Sequence, residues 1–282
     1  MTHHVYAMDT FFYNSMGVYP FEMRAEMLKQ LGYDATYLSL WSEQAWRDVE
    51  KLGMVKETYG LDVAAVYVLL DLSSGEETPQ VQRILNMLET IEGCRTIELA
   101  IQVTGKYIPR SDQNGDKLAV SFLEKALEIC ERRDLQILLY PHLTFWLERH
   151  EDAIRLCRRL NHPNLGIVFC GPHWYMAGGR DIDAIFEVAA PYIKQVNLAG
   201  IRLDPNGWAG LARTELIDEG EVDNFAILSA LNRFGFDGMI GFQGWELGGD
   251  TYGKLRHSIQ SFRDMERRVE KNPQWAELHR GN

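Results

Sequence analysis

Val5-Tyr6-Ala7-Met8-Asp9-Thr10-Phe11-Phe12 opens the chain as an apolar run, and it ends on an acid and two aromatics rather than on glycines. A doubly wound open sheet normally follows its first strand with a glycine-rich turn that receives a phosphate. That turn is missing here. Seven further short runs, rich in β-branched and aromatic residues, follow at residues 36–40, 63–70, 97–103, 135–140, 165–170, 193–198 and 238–242. With residues 5–12 they make eight expected strands.

Helical patterns separate these strands. Phe21, Ala25 and Leu28, then Met23, Met27 and Leu31, recur at the spacing of one helix face, and Gly32 supplies a stop. Thr78-Pro79 reads as a helix start, a capping hydroxyl followed by proline at the first helical position. Leu118, Phe122, Ala126 and Ile129, and later Leu255, Ile259 and Phe262, form similar stripes. Eight repeats of strand then helix predict a closed (β/α)8 TIM barrel of the α/β class. No linker or low-complexity block divides the chain, so residues 1–282 are expected to form one domain. The longest connection, from about Ile201 to Glu221, reads as a loop on the face where barrel active sites lie.

The 282 residues carry 29 Lys and Arg against 40 Asp and Glu, a formal net charge of −11. An acidic surface is the wrong one for a nucleic-acid backbone. No apolar stretch reaches the roughly 20 residues that a membrane helix needs, and no signal peptide is visible. The four cysteines, Cys94, Cys130, Cys157 and Cys170, form no C-x-x-C pair. Reduced thiols in a cytoplasmic protein are therefore expected.

Strand parity locates the chemistry. Alternate residues of a barrel strand face inward. One parity gives Glu98, Ala100 and Gln102; Gln136, Leu138 and Tyr140; Gly166, Val168 and Cys170; Gln195 and Asn197; and Gly241, Gln243 and Trp245. The other parity is almost wholly apolar and should pack against helices. His142 and His173 follow just beyond the fifth and sixth strands. Polar groups thus converge on one rim from several strands. Buried polar groups are costly unless paired, so a small-molecule pocket is expected there.

Leu139-Tyr140-Pro141-His142, the run Gly166 to Trp174, Val196-Asn197-Leu198-Ala199-Gly200, Asp218 to Asp223 and Gly241-Phe242-Gln243-Gly244-Trp245 stand in a familiar order. In these runs, and in Leu31-Gly32-Tyr33-Asp34 before the second strand, the chain resembles the xylose isomerase-like TIM barrels of the sugar phosphate isomerase/epimerase superfamily. The resemblance covers almost the whole chain. It implies a divalent metal held by Glu, Asp, His and Glu on strands five to eight. Those places hold Tyr140, Cys170, Asn197 and Gln243. A hard divalent cation wants carboxylate oxygens, so the usual quartet is expected to be lost. Zinc on His142, His173 and Cys170, or manganese, stays open as an alternative to a metal-free site.

The resemblance implies a sugar or keto-sugar isomerase or epimerase that moves a proton beside a carbonyl. His142, His173 and Glu246 are the acid/base candidates, with a cationic histidine or amide donors standing in for the metal. Asp9, Trp41, Tyr67, Tyr140, Cys170, Asn197, Gln243 and Trp245 are the candidates for holding the substrate. Glu98 has inward parity but lies deep, where a structural carboxylate is the plainer reading. Lys106, Arg202 and Arg213 are the cations near the rim, but no glycine-rich loop opens a helix, so a substrate phosphate is not expected. A lyase or hydratase acting on a 3-keto sugar, and a non-catalytic carbohydrate-binding barrel, remain alternatives. An apurinic endonuclease on the same fold fits neither the residues nor the charge. Homo-oligomers suit the fold, and the sequence does not decide between them and a monomer.

Overall fold

The structure is a computed structural model that describes residues 2–74, 78–104 and 108–275. Eight parallel strands close into a barrel: β1 (Val5–Ala7), β2 (Ala35–Ser39), β3 (Asp62–Asp71), β4 (Thr96–Gln102), β5 (Gln136–Leu139), β6 (Leu165–Cys170), β7 (Ile193–Leu198) and, after an inserted ribbon of β8 (Gly200–Trp208) and β9 (Ala212–Glu215), β10 (Met239–Phe242). Around the barrel the order is β1-β10-β7-β6-β5-β4-β3-β2, so each strand lies beside the next barrel strand in sequence. The (β/α)8 barrel expected from the strand–helix alternation is the fold.

Local signals act as expected. The hydroxyl of Thr78 accepts from the Val81 N–H at 3.4 Å, and Pro79 begins the helix Pro79–Thr90. Gly32 ends the helix Phe21–Leu31 in the left-handed region, at φ +84°. The helices lie outside the sheet, and the main core fills the layer between them and the outward strand residues Ile137, Leu139, Ile167, Phe169, Val196, Leu198, Ile240 and Phe242. A second, smaller core fills the barrel interior with Tyr6, Tyr37, Tyr67, Leu138, Tyr140, Val168 and Cys170. The two parities are therefore divided as the sequence pattern requires.

Two expectations are corrected. The first strand stops at Ala7, not at Phe12, and Asp9–Phe12 forms a 3-10 turn. The Asp9 carboxylate explains the bend. It accepts from the Ser39 N–H at 2.8 Å, the Ser39 hydroxyl at 2.6 Å and the Tyr13 hydroxyl at 2.8 Å. These bonds draw the chain sideways onto the end of β2. The connection read as a loop from Ile201 to Glu221 is instead largely the antiparallel ribbon β8–β9. Its outer turn is made by Gly210, at φ +68°. Its base is tight at Gly200, where a Cβ would stand 2.2 Å from the Leu216 carbonyl oxygen.

Gly241 positions the barrel interior. It pairs with Tyr6 on one side and Asn197 on the other. A Cβ there would sit 2.3 Å from the Tyr6 ring and 2.4 Å from Asn197 Oδ1. Neither can retreat, because the Tyr6 hydroxyl donates to that same oxygen at 2.5 Å. Gly241→Ala is expected to cost about 1–3 kcal/mol through overpacking, read as a lowered melting temperature. An unchanged melt would show that the interior yields.

Candidate active site

A pocket of about 300 Å³ opens at the C-terminal ends of the strands, the end at which barrel enzymes place their chemistry. His142 and Phe145 enter it from the turn after β5. His173 and Met176 come from the helix Gly171–Met176 after β6, and Gln243 and Trp245 follow β10. Tyr67 stands on β3, Tyr140 directly follows β5, and Met8, Thr10 and Trp41 complete the near wall. The ribbon supplies Ile201, Trp208, Ala212, Arg213 and Thr214.

The two histidines lie together, with ring centroids 3.9 Å apart. Phe145 stacks on His142 at 4.0 Å. Leu143 assigns complementary roles to the pair. His142 Nδ1 stands 2.7 Å from the Leu143 carbonyl oxygen, which can only accept, so Nδ1 carries the proton and Nε2 keeps its lone pair. His173 Nδ1 accepts from the Leu143 N–H at 3.4 Å, so in the neutral ring the proton sits on Nε2. His173 Nε2 is buried and has no hydrogen-bond partner.

Burial holds both rings neutral. It pushes the His142 pKa down to about 4, against the Leu143 carbonyl, which favours the charged form. The His173 pKa falls well below its usual range, first through burial and then through the neighbouring His142 and His150. Of the two stand-ins for a metal named from the sequence, a cationic histidine or amide donors, the lowered pKa values disfavour the first, and the pair offers one accepting and one donating nitrogen.

Beneath the pocket lies a polar layer. Glu98 is fully buried on β4. It accepts from the Tyr37 hydroxyl and from the Asn197 amide at 3.4 Å, and at 3.3 Å it shares the single Tyr6 hydroxyl proton with Asn197 Oδ1. Burial raises its pKa to about 7 despite those three donors. Cys170 lies under Tyr140, 3.1 Å from its hydroxyl, and burial pushes the thiol up to about 12.

The remaining candidates divide plainly. Trp41, Tyr67, Tyr140, Gln243 and Trp245 line the pocket with the two histidines. Cys170 and Asn197 do not, because both are held in the layer below. Asp9 is buried, and its oxygens are taken by Ser39 and Tyr13. Glu246 is exposed, in a left-handed conformation at φ +66°, and faces an adjoining groove with Glu219 and Lys254. Lys106 lies outside the described residues. Arg213 reaches the pocket while paired with Asp204, whereas Arg202 is held by Glu215 on the ribbon. Trp208, Phe145, Thr10, Thr214 and Met176 were not singled out from the sequence. For Trp208 a signal existed: Ile201 and Leu203 alternate with charged residues ahead of a glycine turn, which is a hairpin pattern.

The donor set does not fit a divalent ion. Tyr140 is neutral, Cys170 stays a thiol, and Asn197 already bonds Tyr6 and Glu98. Only Gln243 of the four positions reaches the pocket without such a tie. His142 keeps an Nε2 lone pair that could ligate, but His173 Nδ1 is taken by the Leu143 N–H and its Nε2 carries the ring proton, so the pair offers one imidazole donor. Among the described residues no group of three or more His, Cys, Asp or Glu is placed to hold a metal. Chelation is accordingly expected to leave the melting temperature unchanged, and elemental analysis to find well under one metal per chain. A stoichiometric ion whose removal lowers the melt would contradict this donor analysis.

The chain belongs to the family described as the xylose isomerase-like TIM barrel, whose model matches residues 16–265. Solved structures share the fold at low identity. An L-ribulose 3-epimerase superposes with a TM-score of 0.76 at 14% identity, covering 100% of both chains. The IOLI protein, solved with a binding zinc atom, gives 0.75 at 18%, covering 95% of this chain and 97% of that one. A probable 3-DHS dehydratase, AsbF of Bacillus anthracis, gives 0.72 at 15%, covering 93% and 99%. No curated protein matches the chain significantly. Among the described residues no helix is long and apolar enough to cross a membrane.

Proposed function

We propose that this pocket binds a sugar or keto-sugar and moves a proton between carbons beside its carbonyl, as an isomerase or epimerase does. The observation that carries the reading is the neutral histidine pair, rings 3.9 Å apart, in which His142 keeps a lone pair on Nε2 and His173 an unpartnered Nε2–H. Proton abstraction beside a carbonyl needs a base and a donor for the oxygen that gains charge. His142 Nε2 takes the proton as the C–H bond breaks. The electron pair moves into a carbon–carbon double bond, and the carbonyl pair moves onto oxygen. His173 Nε2–H donates to that oxygen. Return of the proton from His142 to the former carbonyl carbon gives the isomer, while the hydroxyl on the carbon that lost its proton passes its own proton to the first oxygen and becomes the new carbonyl.

Gln243, Thr10 and Thr214 offer neutral polar contacts for hydroxyls, and Tyr67, Tyr140 and the tryptophans offer faces for the ring. This route does not use Glu246. The L-ribulose 3-epimerase among the similar structures is named for a reaction of a sugar, and that agrees with the reading without fixing a substrate. The test is incubation with a panel of neutral ketoses, followed by NMR of the sugar pool. New isomer or epimer signals support the reading, and unchanged spectra across the panel count against it.

A further inference from the structure

Two features of the pocket wall say more about what it takes. The first is a chain of ring contacts. Trp245 meets Trp41 edge-on at 5.4 Å, Trp41 meets Tyr67 at 5.8 Å, and Tyr67 meets Tyr140 at 5.2 Å. Tyr140 adjoins the histidine pair, and Trp208 closes the far side 5.9 Å from His142. The second is charge. Among the described lining residues Arg213 is the one cation, it is already paired with Asp204, and none is a carboxylate.

Trp41 also belongs to a second space. It is 43% exposed and lines both the pocket and an adjoining groove of about 490 Å³. Trp46, Leu40 and Leu69 form much of the groove's wall. The guanidinium and amide among its described lining residues are committed elsewhere. Arg83 lies over the Trp46 ring at 4.2 Å and holds Glu43 through two bonds, while Gln80 bonds the Leu69 carbonyl and the Asp71 N–H. The groove therefore suits a flat apolar group and offers little to a second sugar or an anion.

We infer that the substrate is a neutral keto-sugar joined to a planar apolar group, an aryl glycoside with a carbonyl on its sugar ring, with the sugar beside the histidines and the planar group running over Trp41 into the groove. The inference rests on the sugar reading of the pocket. A phosphorylated sugar is the wrong ligand, because desolvating a phosphate dianion needs more than one cation already shared with an aspartate.

The test measures the affinities of 4-nitrophenyl β-D-glucoside, methyl β-D-glucoside and glucose 6-phosphate by calorimetry on the full chain. The aryl glucoside is expected to bind about tenfold or more tighter than the methyl glucoside, since an aromatic partner adds its contact to buried area. Trp41→Ala should remove most of that advantage, and Trp41→Phe should keep it. Equal affinities for the two glucosides, no binding of either, or tightest binding of the phosphate would overturn the inference. Proton transfer on a small neutral ketose is scored separately. If it persists without an aryl preference, only this inference fails. If it is absent while the aryl preference holds, the reaction fails and the ligand class stands.

Discussion

His142→Ala is expected to slow proton transfer by about 10²–10⁴-fold, the range in which a positioned general base contributes. His173→Ala should cost about 10²–10³-fold, as does loss of one donor to a developing oxyanion. The two losses should differ in rescue. Glutamine at position 173 can carry an amide N–H near the place of Nε2, so His173→Gln should retain more rate than His173→Ala. A residue that merely packs would show no such preference.

The pH dependence follows from the same geometry. His142 is neutral above a pKa of about 4, and burial also holds the His173 pKa well below 6.5. The rate should therefore stay level from about pH 5.5 to 8 and fall only in stronger acid, where His142 takes a proton from solvent. A mechanism that needed an imidazolium would lose rate as pH rises through the ordinary histidine range near 6.5. Steady-state kinetics across that interval separates the two.

Glu98→Gln is expected to stabilise the protein at pH 8. Burial raises the folded-state pKa of Glu98 from 4.5 to about 7. Below pH 4.5 the carboxyl is protonated in both states and has no effect on the folding balance. Between 4.5 and 7 the unfolded chain releases the proton first, so stability falls as pH rises. Above 7 the folded state carries a buried charge, at a cost of about 3 kcal/mol at 1.36 kcal/mol per pKa unit. The variant should match the wild type near pH 4.5 and exceed it at pH 8 by roughly 5 °C in melting temperature.

The buried histidines oppose this trend. His142, His150 and His173 have lowered pKa values, so their contribution weakens as pH falls below 6.5. Only the difference between variant and wild type isolates Glu98. A difference that does not grow with pH would mean that the three donors to Glu98 fully offset its burial.

The outcome for individual residues shows where sequence reading stops. Strand parity separated Tyr140 and Gln243 from Leu139 and Phe242 correctly, because a period of two is a local property of each strand. Glu98 was read as deep and structural on the same ground, and it is. Parity gives a direction but not a height. Cys170 and Asn197 point inward as expected, yet sit a layer below the cavity. Asp9 was placed at a strand end, but its place depends on Ser39, thirty positions away, and no local pattern carries that contact. The ribbon was missed because Pro205, Asn206 and Gly207 look like loop residues, although the alternation ahead of them is that of a strand. The protonation of the histidines was the least legible feature, since it is set by the backbone of Leu143 and by burial.

The central claim is that this chain moves a carbon-bound proton through His142. The most direct measurement is uptake of solvent deuterium at the carbon beside the carbonyl of a neutral ketose, followed by NMR in D₂O on chelator-treated protein. Wild type is expected to take up deuterium at a rate unchanged by chelation, and His142→Ala to lose about 10²-fold or more. No uptake by the wild type, or equal uptake by the variant, would contradict it.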